Sequence, residues 1–227
     1  IFLNPLYRDE SKDENKYLTA DEYLSGNVRE KLKIAEIAAK NNPEFKINEE
    51  SLRQVQPKDL SASEITVRLG TTWIPDKYIQ QFAFDLLNPS YYAKRRIKIR
   101  YSDITGTWNV EGKNADRENA RINNTYGTKR VNALKIIEDT LNLRDVRIFD
   151  YKENADGKKV AVLNSKETTI AQQKQEAIKN AFADWIWKDP ERREALTKIY
   201  NERFNSVRTR EYDGSHITFE GMNPEIQ

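Results

Sequence analysis

Cysteine is absent from the 227 residues, which excludes disulfides and thiolate metal sites. The simplest compartment for such a chain is a reducing, cytoplasmic one. There is one histidine, His216, so a multi-histidine metal site is excluded too. Asp213 and Ser215 stand close to it, but near neighbours in sequence cannot aim their side chains at one another as a nucleophilic triad requires. Eight glycines and seven prolines are too few for a long low-complexity linker. No repeat at solenoid period is visible, no apolar run approaches membrane length, and no signal peptide opens the chain. Charge of one sign is not in excess either. The 38 basic and 36 acidic residues leave a net +2, so any nucleic-acid site must be a local patch rather than a global field.

What is present is aromatic. Four Trp, eleven Tyr and eight Phe can nucleate a core and argue against disorder. Residues 1–18 read as a polar linker, followed by a capping box at Thr19-Ala-Asp-Glu22. Val28, Leu32, Ala35 and Ala38 form one helical face, with Asn27 as cap and Asn42-Pro43 as stop. Asn48 is a candidate cap for a short helix carrying Leu52 and Val55, and Pro57–Ser61 a candidate domain boundary. Ile65–Leu69 alternates as a strand would, and Pro75 opens a helix that Asn88-Pro89 ends. Arg96–Tyr101 with Thr107–Val110, and Val146–Tyr151 with Lys159–Leu163, read as two hairpins, the second turned at Asp156-Gly157. Helices are expected over 129–143, from Asn164, and from Asp189-Pro190. The order implies an α+β fold: mostly antiparallel sheet from two hairpins, packed with several helices, plus an N-terminal helical part. The expected division is a linker and helical segment over 1–60, an α+β core over 61–205, and an extended lead-in over 206–227 anchored by Tyr212, Phe219 and Met222. The chain starts at Ile1 and its last stretch leads on, so it is expected to be a piece of a longer protein.

Several motifs fall short of chemistry. Gly106–Lys113 has five residues between its glycines where a phosphate loop has four, and Asn114 follows where Ser or Thr would hold Mg²⁺. Asn154–Gly157 suggests a calcium loop, but Lys152 and Leu163 occupy ligand positions. Asn88-Pro-Ser-Tyr91 is similar to the Asn-Pro-Pro-Tyr signature of adenine amino-methyltransferases, yet reads better as a helix stop followed by a buried aromatic pair. Asp103, Glu111 and Lys113 make up the skeleton of a Mg²⁺-dependent nuclease, two carboxylates for the metal and a lysine for water or the phosphorane. The clearest local charge excess is Lys94, Arg95, Arg96, Lys98 and Arg100. On a strand Arg96, Lys98 and Arg100 share one face that can track phosphates, with Tyr101 and Trp108 for stacking. Lys129 and Arg130, after Gly127 in a first helical turn, are a second candidate phosphate contact, although Gly127 also serves simply as a turn with Thr128 as cap. Arg203, Arg208 and Arg210 form a weaker basic set.

A set of blocks resembles one family. They are Tyr23–Leu32, Val55–Leu60, Thr125–Leu134, Leu141–Asp145, Gln172–Ala177, Trp185–Arg193 and Tyr200–Ile226. Together they resemble the segment before the helicase core in large bacterial Swi/Snf-like helicase and adenine-specific DNA methylase proteins of phages and conjugative elements. The resemblance implies a parent using ATP, Mg²⁺ and S-adenosylmethionine, with none of those cofactors held by this segment. No catalytic motif of that family maps onto it. The implied role is a non-catalytic module that contacts DNA and positions the helicase and methyltransferase domains of the same polypeptide, away from any membrane. A nuclease and a purely structural docking module are the alternatives.

Overall fold

The computed structural model describes residues 1–9, 14–153 and 158–211. The tail anchors Tyr212, Phe219 and Met222, the His216 neighbourhood and the Asp156-Gly157 turn lie outside these residues. The fold is α+β. In order come β1 (Phe2–Asp9), β2 (Glu14–Leu18), α1 (Ala20–Tyr23), β3 (Gly26–Asn27), α2 (Val28–Asn41), a 3₁₀ turn, α3 (Lys46–Gln54), α4 (Asp76–Leu87) and α5 (Tyr91–Arg96). Then follow β4 (Lys98–Ser102), β5 (Thr107–Glu111), a wide π turn (Arg121–Thr125), α6 (Ala133–Leu141), β6 (Phe149–Glu153), β7 (Lys159–Leu163), α7 (Ser165–Ile186), α8 (Pro190–Phe204) and β8 (Val207–Arg208). Among the described residues every sheet is a separate antiparallel pair: β1-β2, β3-β8, β4-β5 and β6-β7. No helix among them is long and apolar enough to cross a membrane. Two compact units result, one being Ile1–Leu60 together with the chain from Lys198, the other Ser61–Thr197.

In the first unit, the stretch expected as a linker is the β1-β2 ribbon, with Phe2 opposite Leu18. Phe2 stacks on Tyr23 with ring centroids 5.0 Å apart, and Leu18, Tyr23, Val28, Ala35 and Leu52 are buried together. Asn27 caps α2 as expected, its side chain accepting from Glu30 N–H. Two cap expectations fail. Thr19 makes no side-chain cap bond to α1, and Asn48 lies buried within α3. There its amide donates to Leu3 O at 2.8 Å, tying helix to ribbon. The returning chain is held by Asn201, which accepts from Leu60 N–H at 2.8 Å and donates to Leu60 O at 2.9 Å. Arg208 and Arg210 pair with Glu211 and Asp21.

In the second unit, Ile65–Leu69 is not a strand. It has no partner strand among the described residues, although Ile65 and Leu69 are buried as the alternation implies. Helix α4 packs on β4 and on α7, and α6 on β5 and on α7. Phe82, Phe182 and Trp185 fill the α4-α7 seam, with the two Phe rings edge-to-face at 5.1 Å. The helix expected from Lys129 starts at Ala133. Asn132, not Thr128, caps it by accepting from Lys135 N–H, and Thr128 makes a turn of its own with Arg130 and Val131. Leu134, Ile137 and Leu141 are buried.

Helix side chains do the work of missing strands. A two-stranded ribbon leaves its outer N–H and C=O groups unpaired. Asn142, the residue that caps the end of α6, accepts from Trp108 N–H and donates to Trp108 O, both at 2.9 Å, while Glu138 of α6 accepts from Val110 N–H at 3.0 Å. On the opposite edge, Gln80 of α4 accepts from Ile99 N–H at 3.2 Å. The same device receives the segment before β6, which begins at Phe149 rather than Val146. Gln175 accepts from Val146 N–H and donates to Arg144 O, and Thr168 accepts from Ile148 N–H. Helix α7 therefore buries Thr168 and Gln175 beside Ala171, Ile178, Phe182 and Ile186, whereas Ala177 is exposed.

Candidate nucleic-acid interface

Helix α4 ends at Asn88, which takes a left-handed conformation (φ 43°) that Asn tolerates better than most side chains. The polar loop over 114–124 then fixes the exit. Asn119 donates to Leu87 O and Asn88 O, and Asp116 accepts from Ser90 N–H at 2.8 Å. Ser90 caps α5 by accepting from Ala93 N–H. Helix α5 is six residues long and buries only Ala93, with Pro89 and Ile97 buried on either side. Everything else on it faces out: Tyr91, Tyr92, Lys94, Arg95 and Arg96.

The basic run thus spans a helix and a strand. Arg96 ends α5 instead of sharing a strand face with Lys98 and Arg100. On β4, Ile99 is buried, Arg100 is exposed opposite Asn109, and Lys98 is half-buried opposite Glu111. Among the described residues none of Lys94, Arg95, Arg96, Lys98 and Arg100 forms an ion pair. Arg95 lies over the Tyr91 ring, 5.8 Å from its centroid.

Gly112 sets how closely β5 passes this segment. Its φ is +67°, and a Cβ there would sit 2.5 Å from Arg96 O. Gly112→Ala combines a disfavoured backbone with a backbone clash. It is expected to destabilise the chain by about 1–2 kcal/mol, read as a lower urea midpoint with unchanged m.

A family model described as a domain of unknown function, DUF8437, matches residues 68–206, more than half of the chain. The chain belongs to the DUF8437 family. No curated protein and no solved structure matches it. The matched stretch of the DUF8437 chain contains the whole basic run.

The other expected contacts of the DUF8437 chain are placed differently. Trp108 is 4% exposed, with its ring 5.3 Å from that of half-buried Tyr101 and its indole N–H without a partner among the described residues. Its ring faces are taken up by the interior, which removes it as a stacking platform. Lys129 is exposed, but Arg130 is engaged, donating to Asp150 at 2.8 Å and to Phe149 O at 2.9 Å. Arg130, then Asn164, hold the Asp150 carboxyl below its ordinary range. What the sequence reading missed is Tyr91 and Tyr92, expected inside as an aromatic pair and found 70% and 78% exposed. The signal lay in the cap: Ser90 starts a new helix, and Ala93 is its one small residue able to sit close beneath.

The nuclease constellation is not assembled. Glu111 pairs in register with Lys98, whereas Asp103 follows the Ser102–Thr107 pair at the turn. Four strand steps separate those pairs, about 13 Å, too far for one metal ion. Lys113 is bound by Glu138 at 2.7 Å. Among the described residues no three of His, Cys, Asp and Glu come together as a metal site. A cavity of about 400 Å³ opens elsewhere between Leu69, Leu143 and Phe182, with Arg68, Arg144 and Lys179 on its walls. Lys179 is paired with Glu176.

Proposed function

We propose that the DUF8437 chain is a non-catalytic nucleic-acid-contacting module, working through the α5-β4 segment. The observation that carries this reading is the set of five cations within residues 94–100, none of them in an ion pair among the described residues, on a chain whose net charge is only +2. Elsewhere in the same unit Lys113, Arg130 and Lys135 each meet a carboxylate within 2.8 Å, whereas Arg68, Lys77 and Arg117 have no ion pair among the described residues, so what sets this run apart is the density of its charge. The end of a helix dipole favours cations, and that alone would account for Lys94, Arg95 and Arg96. It does not account for Lys98 and Arg100, which stand on a strand. Phosphates supply the missing charge, and the affinity would be sequence-independent and steep in salt. The resemblance of the sequence blocks extends the reading: the module sits in a cytoplasmic Swi/Snf-like helicase–adenine methylase, next to the motor that uses ATP and Mg²⁺ and the domain that uses S-adenosylmethionine.

The test is Arg96→Ala/Lys98→Ala/Arg100→Ala, followed by fluorescence anisotropy with duplex and single-stranded oligonucleotides across a salt series. Affinity is expected to fall at least about tenfold at low salt, and the slope of log K against log salt to lose about one unit per phosphate contact removed. An unchanged affinity and slope would sink the reading.

The docking alternative draws on the β6-β7 ribbon, where Phe149, Tyr151, Val160, Val162 and Leu163 are all exposed. It calls for association with the separated helicase core and no nucleic-acid binding at low salt.

A further inference from the structure

We infer that the α5-β4 segment takes single-stranded nucleic acid in particular, with Tyr91 and Tyr92 stacking on unpaired bases while the cations after them follow the backbone. The inference rests on the nucleic-acid reading above and narrows its ligand. Burying a large side chain ordinarily stabilises a fold, yet α5 buries Ala93 and leaves both its aromatic rings outside, 70% and 78% exposed. The rings are in contact with each other and with a cation. Their centroids lie 5.8 Å apart in an edge-to-face arrangement at 79°, and the Arg95 guanidinium rests over Tyr91. The helix carrying them is fixed at its start by the Ser90 cap and by Asp116 on Ser90 N–H. Exposed rings and cations in one short segment are the two components of a strand-binding surface: π faces for bases of any identity and charge for phosphates. Beyond the helix, Lys98 and Arg100 repeat the charge along one strand face at about 6.6 Å. A duplex has no use for the rings, because its bases already stack on each other and present only edges to a protein. An unpaired strand of DNA or RNA offers the same faces, so the shared chemistry is the single strand.

The experiment compares the intact chain with Tyr91→Ala/Tyr92→Ala and Tyr91→Phe/Tyr92→Phe, each checked for unchanged circular dichroism. Anisotropy is measured with oligodeoxyuridylate and oligouridylate of about 16 nucleotides, the upper end of such site sizes, and with a mixed-sequence duplex of the same length. The alanine pair is expected to weaken binding to the single strands about tenfold to a hundredfold, with the duplex and the salt slope unmoved. The phenylalanine pair is expected to bind within about twofold of the parent, since stacking needs the ring and not the hydroxyl. The tighter of the two oligonucleotides identifies the sugar. Alanine variants that hold single strands like the parent, or lose duplex and single strand equally, overturn the inference. If the Arg96/Lys98/Arg100 variant still weakens binding in that case, the broader reading stands without the stacking. If neither variant changes anything, both fall, and the tyrosines are left as a protein contact.

Discussion

Arg192→Ala is expected to cost the unit over 61–197 about 3 kcal/mol, the sum of two charge-assisted hydrogen bonds and a cation–π contact after partial compensation. Arg192 is on α8, 5% exposed, where a charge is tolerated only if fully engaged. Its Nε donates to Ile186 O at 2.9 Å and its Nη2 to Trp185 O at 2.6 Å. These are carbonyls of the last turn of α7, beyond the reach of that helix's own ladder, although Trp185 O also accepts from Lys188 N–H at 3.2 Å. The guanidinium plane also lies 3.5 Å from the centre of the Trp185 ring. Trp185 in turn donates to Asp85 of α4 at 2.9 Å, so the arginine sits at one end of a chain that fixes α7 against α4. Alanine at this position keeps the start of α8, because the backbone N–H of residue 192 still meets the Asp189 cap. What it loses is the closing of α7. Lysine is expected to restore less than half, since a compact ammonium cannot serve two carbonyls and stack on the ring at once. Urea denaturation followed by tryptophan fluorescence reads the effect. A loss below about 1 kcal/mol, no more than one ordinary hydrogen bond, would show that water replaces the guanidinium at those carbonyls.

How far the sequence could be read follows from which interactions are local. Asn27, Asn164 and Asp189 were legible as caps, and each accepts from the N–H three residues on. That bond needs nothing outside its own turn. The register of β4 with β5 was legible in outline for the same reason, since a short turn pairs the strands that flank it. Alternation at Ile65–Leu69 correctly marked Ile65 and Leu69 for the interior, but alternation does not say what lies alongside, and no strand does. The largest gap concerns polar residues on helix faces. Glu138, Asn142, Thr168 and Gln175 look like solvated positions until β5 and the segment before β6 are laid against them. Their partners are 20 to 35 residues away, and no period in the sequence announces them. The candidate interface shows the same division. The charges of Lys94–Arg100 were visible as letters, but which aromatics accompany them depended on Ser90 starting a helix and on Trp108 turning inward.

Glu138→Gln is expected to lower stability by about 2–3 kcal/mol at neutral pH, and the deficit is expected to shrink as the solution is acidified. The Glu138 side chain is 13% exposed and receives Lys113 at 2.7 Å, Lys135 at 3.0 Å and the Val110 N–H at 3.0 Å. Burial alone would push its pKa up. Lys113, the Val110 N–H and Lys135 outweigh that and hold it below its ordinary value of 4.5. A carboxylate depressed in the folded state contributes stability above its unfolded pKa and loses it as pH falls through the folded value. The parent chain should therefore lose stability progressively from about pH 4.5 downward, and the glutamine variant should lose less over that window. The two unfolding curves, measured in urea at neutral pH and at successively lower pH, converge. A constant gap would mean that the carboxylate's charge contributes nothing beyond its shape. The consequence reaches the proposed interface because Glu138 holds the outer edge of β5, β5 pairs with β4 from Lys98 to Ser102, and Lys98 and Arg100 ride on that strand. Nucleic-acid affinity of the variant at neutral pH then reports whether the ribbon's edge must be held for the charges to stand in line.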